Sequence, residues 1–182
     1  MISLTATEYL PSFDDPIEML HACHGRILSQ CDTLKKLTIH LTNHGCDQQV
    51  QQAAKNILRY FDTAGQFHHQ DEEQDLFPAL RISANVDKSY LDSLFVRLLK
   101  EHAEMFDAWI KLRPELFQLS QGNQVTLADS ITENFITKYT SHIAVEEEEL
   151  FPLSIRLLDT QQKKKIGMHM AERRGAKFDS GN

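Results

Sequence analysis

Residues 61–80 read FDTAGQFHHQDEEQDLFPAL, and residues 135–154 read FITKYTSHIAVEEEELFPLS. A constant offset of 74 residues carries Phe61 onto Phe135, His68 onto His142, Glu72 onto Glu146 and Glu73 onto Glu147. The same offset carries Leu76-Phe77-Pro78 onto Leu150-Phe151-Pro152, so both stretches read His-x-x-x-Glu-Glu-x-x-Leu-Phe-Pro. A repeat at a fixed offset is an architectural signal, and here it divides the chain into two related halves.

The spacing inside the repeat has a physical meaning. Residues i and i+4 of an α-helix lie one turn apart on one face. His68 and Glu72 therefore point the same way, as do His142 and Glu146. In both copies that face is the apolar one, shared with Phe61 and Leu76 or with Phe135 and Leu150. An imidazole and a carboxylate on a core face cost several kcal/mol unless a partner satisfies them. A bound cation is the simplest partner for both.

The rest of the chain fits this frame. Asp15 as N-cap, Pro16 at the first helical position and Glu18 three residues past the cap start a first helix. Its apolar seam, Ile17, Leu20, Ile27, Cys31 and Leu34, has His24 in the middle, and Asn43-His44-Gly45 stops it. A second helix spans about 48–81 with a kink or an end at Pro78. Ser83-Ala84-Asn85 connects it to a third, about 87–119, whose stripe from Leu91 to Leu116 holds one histidine, His102, with a kink at Pro114. Residues 120–123 turn the chain. A fourth helix spans about 126–158, and a short one about 160–174 ends at Gly175. An offset of 78 places Leu20 on Leu98, His24 on His102 and Ile27 on Met105. The expected fold is all-α: an up-down-up-down four-helix bundle with a short C-terminal helix. The whole chain, 1–182, reads as one domain, with the bundle at about 15–158.

Composition narrows the function. The chain has 25% charged and 41% hydrophobic residues, the balance of an ordinary globular protein. A net charge of -7 argues against nucleic acid and anionic membrane surfaces as partners. No window approaches the run of about 18 apolar residues of a membrane span, and residues 1–15 lack the basic and apolar regions of a signal peptide. Three cysteines without a Cys-x-x-Cys suit a reducing compartment, so a cytoplasmic location is expected. No nucleophile constellation or phosphate-binding glycine loop is visible.

Six residues thus fall in the seams: His24, His68, Glu72, His102, His142 and Glu146. One tetrahedral ion needs only four donors. Four imidazoles and two carboxylates related by a pseudo-twofold fit two ions. Nitrogen and oxygen donors without thiolate suit iron, with manganese or zinc as substitutes. By symmetry His24 and His68 go to one ion, His102 and His142 to the other, with Glu72 and Glu146 bridging.

The doubled motif, with His24 and His102 in mid-helix, resembles the hemerythrin-like (HHE cation-binding) domain family over about residues 14–160. The resemblance implies a four-helix bundle holding two iron ions in a non-heme centre that reacts with a small diatomic ligand, O2 or NO, or with related oxidants. Oxygen-carrying members have a fifth histidine four residues past the helix-C histidine, a position held here by Phe106. The remaining set is similar to bacterial di-iron proteins implicated in iron–sulfur cluster repair, although their N-terminal cysteine region is missing. Three functions follow from the resemblance and the residues: binding or sensing of O2 or NO within iron and oxidative-stress homeostasis, a di-iron redox enzyme of cluster repair or of peroxide or NO reduction, or a metal-stapled structural bundle.

Other polar residues receive plainer readings. His69 lies about 100° round the helix from His68, on the surface or behind the ligands. His21, one turn before His24, is a candidate extra ligand. Glu73 supports a ligand by hydrogen bonding, Glu147 and Glu148 are solvated, and Tyr60 and Tyr139 pack in the core. His40, His44, His169, Lys163–Lys165, Arg173 and Arg174 are surface groups.

Overall fold

The computed structural model describes residues 11–83 and 87–177. Residues 1–10 of the expected lead-in and residues 84–86 of the Ser83-Ala84-Asn85 connection lie outside them. The described chain is helical, with no strand among the described residues. Its elements are α1 (Pro16–His44), α2 (Gln48–Phe61), α3 (Ala64–Asp71), α4 (Phe77–Arg81), α5 (Lys88–Ser120), α6 (Asp129–Val145), α7 (Phe151–Leu157) and α8 (Thr160–Arg173). Two π-helical turns, π1 (Glu72–Leu76) and π2 (Glu146–Leu150), join α3 to α4 and α6 to α7.

Four rods result: α1, the run from α2 to α4, α5, and the run from α6 to α7. α1 packs on α2, α2 on α5, α5 on α6 and α6 on α1, which closes an antiparallel bundle. α8 lies across α1, α3 and π1. Local chemistry sets the ends. Asp15, Asp47 and Asp87 each accept a backbone N–H at a helix start. Asp159 and Gln162 form a reciprocal capping box at the start of α8. Gly45, at φ 75, ends α1 where a side chain would be strained.

The second and fourth rods differ from the expected continuous helices. The second breaks at Asp62-Thr63. There the Thr63 hydroxyl donates to Arg59 O at 2.6 Å, an alternative to the helical ladder. Asp62 accepts from Trp109 Nε1 at 3.1 Å and from Arg113 Nε at 2.9 Å across the bundle. Pro78 does not end its rod, which continues to Arg81. Phe77 N–H bonds Glu72 O and Phe151 N–H bonds Glu146 O, five residues back. The widened turn places Pro78 and Pro152 in the first turn of α4 and α7, where a missing N–H is tolerated. α5 runs unbroken through Pro114. The fourth rod starts at Asp129 rather than near Thr126, with Ala128 at a cap position that has no side-chain acceptor.

The core is in two parts. One apolar cluster includes Ile27, Phe61, Met105, Trp109, Phe135 and Tyr139. The other includes Leu20, Leu76, Phe77, Leu98, Leu150 and Phe151. Each of the four rods crosses from one cluster to the other through a polar layer: His24 in α1, His68 and Glu72 in the second rod, His102 in α5, His142 and Glu146 in the fourth. All six are at most 4% exposed.

Candidate metal centre

The polar layer is organised by distance. His24 Nε2 lies 3.1 Å from His68 Nε2, and His102 Nε2 lies 3.0 Å from His142 Nε2. Glu146 reaches both pairs, with Oε2 3.1 Å from His24 Nε2 and Oε1 3.1 Å from His142 Nε2. Glu72 does the same, with Oε1 3.2 Å from His68 Nε2 and Oε2 3.5 Å from His102 Nε2. Two donor sets follow, each within 4.8 Å: His24, His68, Glu72 and Glu146, and His102, His142, Glu72 and Glu146. The two carboxylates belong to both.

Several of these contacts are close without being hydrogen bonds. Glu72 Oε1, Glu72 Oε2 and Glu146 Oε1 are buried with no hydrogen-bond partner, although imidazole nitrogens stand 3.1–3.5 Å away. Lone pairs that face a common point, rather than one another, produce this pattern. An orphaned buried carboxylate oxygen costs about 1–3 kcal/mol or more. Two cations, each among imidazole and carboxylate donors, satisfy every one of these atoms, so the residues present fit the group. The donor set, nitrogen and oxygen without sulfur, suits hard to borderline divalent ions.

The outer ring nitrogens show how the imidazoles are oriented. His24 Nδ1 donates to Glu147 at 2.5 Å, and His102 Nδ1 donates to Glu73 at 2.6 Å. In each case the second glutamate of one repeat fixes the lone histidine of the opposite half. His142 Nδ1 donates to Glu101 at 2.9 Å. His68 Nδ1 is buried and has no partner. The offset of 78 that relates the halves carries Cys23 onto Glu101, so a thiol stands where the other half has a carboxylate. Carboxylates behind ligating histidines fix the tautomer with Nε2 bare and raise its basicity. Phe151 stacks on the His24 ring at 4.9 Å and 9°, which gives the second Leu-Phe-Pro motif a role in holding that ring.

Electrostatics separates the two carboxyls. Burial, reinforced by the charge of Glu146, pushes Glu72 well above the ordinary carboxylate range. Burial also opposes ionisation of Glu146, but His142, His102 and His24 outweigh it and hold that carboxyl well below the range. Burial holds His68 well below the usual imidazole range, with the charge of His24 adding to it. Burial works the same way on His24 and His102, yet their carboxylate neighbours prevail and raise both. The metal-free centre therefore carries protons that a cation displaces.

Residues outside the six divide clearly. His21 does not join the cluster: its side chain is 62% exposed, and Nδ1 lies 2.9 Å from Glu147. Glu147 is accordingly a support for His24 rather than a solvated acid. In the sequence Glu101 is marked only by its place one residue before His102. Of the two expected places for His69, the surface or behind the ligands, the structure has the second. It stacks on His102 at 4.2 Å, and its Nε2 is buried without a partner. Tyr60 OH donates to Cys23 O at 3.4 Å, and Tyr139 packs in the core. Arg173, Arg174 and His169, also expected on the surface, form ion pairs with Asp71 and Asp75.

Comparison with known proteins agrees with the centre. Residues 15–154 match the hemerythrin HHE cation-binding domain. An uncharacterized protein of Haemophilus influenzae is 34% identical over 166 residues, covering 91% of this chain and 94% of the relative. Among the described residues no helix is long and apolar enough to cross a membrane. The chain belongs to the hemerythrin HHE cation-binding family, and its buried histidine–glutamate cluster is a metal-binding arrangement.

Proposed function

We propose that this member of the family is a non-heme di-iron protein that binds O2 or NO. The observation that carries the reading is the pair of bridging carboxylates: Glu72 and Glu146 each offer one oxygen to the His24–His68 pair and the other to the His102–His142 pair. One ion would leave half of these atoms without a partner.

Iron in such a donor set supplies one-electron exchange with a small oxidant. The protein's own part is to orient, insulate and admit. Glu147, Glu73 and Glu101 hold three imidazoles with Nε2 directed inward. The two apolar clusters close the layer from above and below and keep bulk water away from it. A surface cleft of about 260 Å³ between α5 and α6 is lined by Glu101, Glu104, Met105, Lys138 and one residue of the layer, His142.

The test is metal content per chain, followed by optical spectra of the anaerobically reduced iron protein on adding O2 or NO. Two irons and a reversible charge-transfer band are expected. Irreversible oxidation with turnover would favour the redox enzyme instead. Two zinc ions with no spectral response, even after reconstitution with iron, would favour a structural bundle.

A further inference from the structure

We propose that the outer face of α5 is a dimerisation surface, on which a second copy of this chain packs its own α5 antiparallel about a twofold axis. The inference is independent of which metal the buried layer holds.

A bundle helix needs one apolar face, and α5 has two. The first, with Leu98, His102, Met105 and Trp109, is buried in the bundle. The second is Val96, Leu99, Ala103, Phe106, Ile110 and Phe117, about 100° round the helix. Its five large side chains are 40–66% exposed. Their steps of three and four residues are those of a coiled-coil seam. Arg113 holds the remaining position of the pattern, and its guanidinium is paired with Asp62 at 2.9 Å, so no free charge interrupts the stripe. Other exposed large hydrophobics, such as Leu28, Ile39 and Ile155, stand singly on other elements, the ordinary condition of a protein surface.

Charge identifies the occupant. Lys100 and Asp107 line the open edge of the stripe, each one residue after a seam position and one heptad apart. The Lys100 side chain is 77% exposed, with only a loose contact of 3.8 Å to Glu104, and Asp107 is exposed. In an antiparallel pair the two equivalent edges run past each other. Lys100 then meets the partner's Asp107, and Asp107 meets the partner's Lys100. The same register sets the partner's Phe106 over the small Ala103 and the partner's Ile110 over Leu99, while Val96 and Phe117 extend the contact at its ends. A surface that complements itself in this way fits a twofold interface between identical chains.

Size sets the strength. From Val96 to Phe117 the stripe runs about 32 Å along the helix, and a width of about 10 Å gives each copy a footprint of about 300 Å². Doubling across the twofold and adding the charged edges brings the buried area toward about 1,200 Å², the low end for specific interfaces. The expected dimer is therefore reversible. The cleft between α5 and α6, with Glu101 and Glu104, is on the opposite side of α5 and stays open.

The experiment is sedimentation velocity of the full chain from about 1 to 200 μM, the range in which a micromolar dissociation constant is read. Wild type should pass from monomer to dimer as concentration rises. Phe106→Glu combined with Ile110→Glu should stay monomeric throughout, with wild-type circular dichroism and metal content as the control for folding. Lys100→Asp should weaken the dimer about tenfold, because two attractions become repulsions. Adding Asp107→Lys to that variant should restore association. A wild-type monomer at every concentration would overturn the proposal and leave the stripe to a partner of different sequence. A dimer indifferent to Phe106→Glu and Ile110→Glu would overturn it by locating the interface elsewhere. Failure of Asp107→Lys to rescue Lys100→Asp would overturn the antiparallel register.

Discussion

The Glu147 carboxylate accepts from His24 Nδ1 at 2.5 Å, and the two residues stand 123 positions apart in the chain. Glu73 and His102 repeat the relationship at 2.6 Å in the other half. Glu147 directly follows Glu146 and Glu73 directly follows Glu72, so every repeat supplies one acid to the buried layer and one behind it. Support of this kind fixes the tautomer and strengthens the donor. Glu147→Ala should therefore weaken metal binding by the His24–His68 set about 10–100-fold, and Glu73→Ala should do the same to the His102–His142 set. Competition titrations against a chelator will show which of two binding steps moves. The same step moving in both variants would mean that the carboxylates act on the centre as a whole.

Glu72 works against the metal-free fold. Both Glu72 oxygens are buried and unpartnered, and burial with the nearby Glu146 charge raises the Glu72 carboxyl. Replacing a buried polar group by an apolar one of similar volume is often stabilising. Glu72→Met should stabilise the metal-free protein, by about 1–3 kcal/mol in urea denaturation, the usual cost of an unsatisfied buried group. It should also abolish most of the stabilisation that added iron gives the wild type. If Glu72→Met is less stable than wild type without metal, the carboxyl has a structural partner and the argument from its orphaned oxygens is lost.

Much of this arrangement can be read before any coordinates. The spacing of His68 and Glu72, and of His142 and Glu146, is helical arithmetic, and the inward face is marked by Phe61, Leu76, Phe135 and Leu150. What escapes such reading depends on contacts between rods. His69 is one position from His68 and should leave the core by its angle, but α5 places His102 beneath its ring. Glu101 looks like any exposed acid of α5 until α6 brings His142 to it. His21 sits one turn from His24 and looks like a ligand, yet Glu147 draws it outward. The π turns escape for a different reason: a proline signals a helix end, whereas here the five-residue bonds into Glu72 and Glu146 carry the rod past it.

The pH dependence of metal stabilisation has a definite sign. In the metal-free state the Glu72 carboxyl is raised by burial and by Glu146. His24 and His102 are raised as well, their carboxylate partners overcoming burial. A raised group contributes stability below its unfolded pKa and loses it as pH rises through its folded value. The same protons compete with a cation for these atoms. The gap in Tm between metal-bound and metal-free protein should therefore widen from pH 6 to pH 8, and metal binding should release protons that calorimetry in buffers of different ionisation enthalpy will count. A gap that narrows over this range would contradict the protonated resting state.

Asp71, one residue before Glu72, is fully buried and is held by α8. Arg173 bonds Asp71, and Arg174 reaches it with Nη2 at 2.5 Å and Nη1 at 3.1 Å. Arg173 also reaches Asp75 at 2.8 Å, where His169 joins at 2.5 Å. Burial raises the Asp71 carboxyl, and the two guanidinium groups oppose it. Removing both partners leaves a buried charge uncompensated, which typically costs about 3–5 kcal/mol. Arg173→Ala combined with Arg174→Ala should lower the stability of the metal-free protein by that order at pH 8. The loss should shrink toward pH 5, because an unpaired Asp71 is then neutralised by a proton. Asp71→Asn in the same background should restore part of the stability at pH 8 and little at pH 5. Urea denaturation at the two pH values checks both statements. A loss that is small and independent of pH would mean that α8 rests on the bundle through Ile166, Met170 and Ala171 alone.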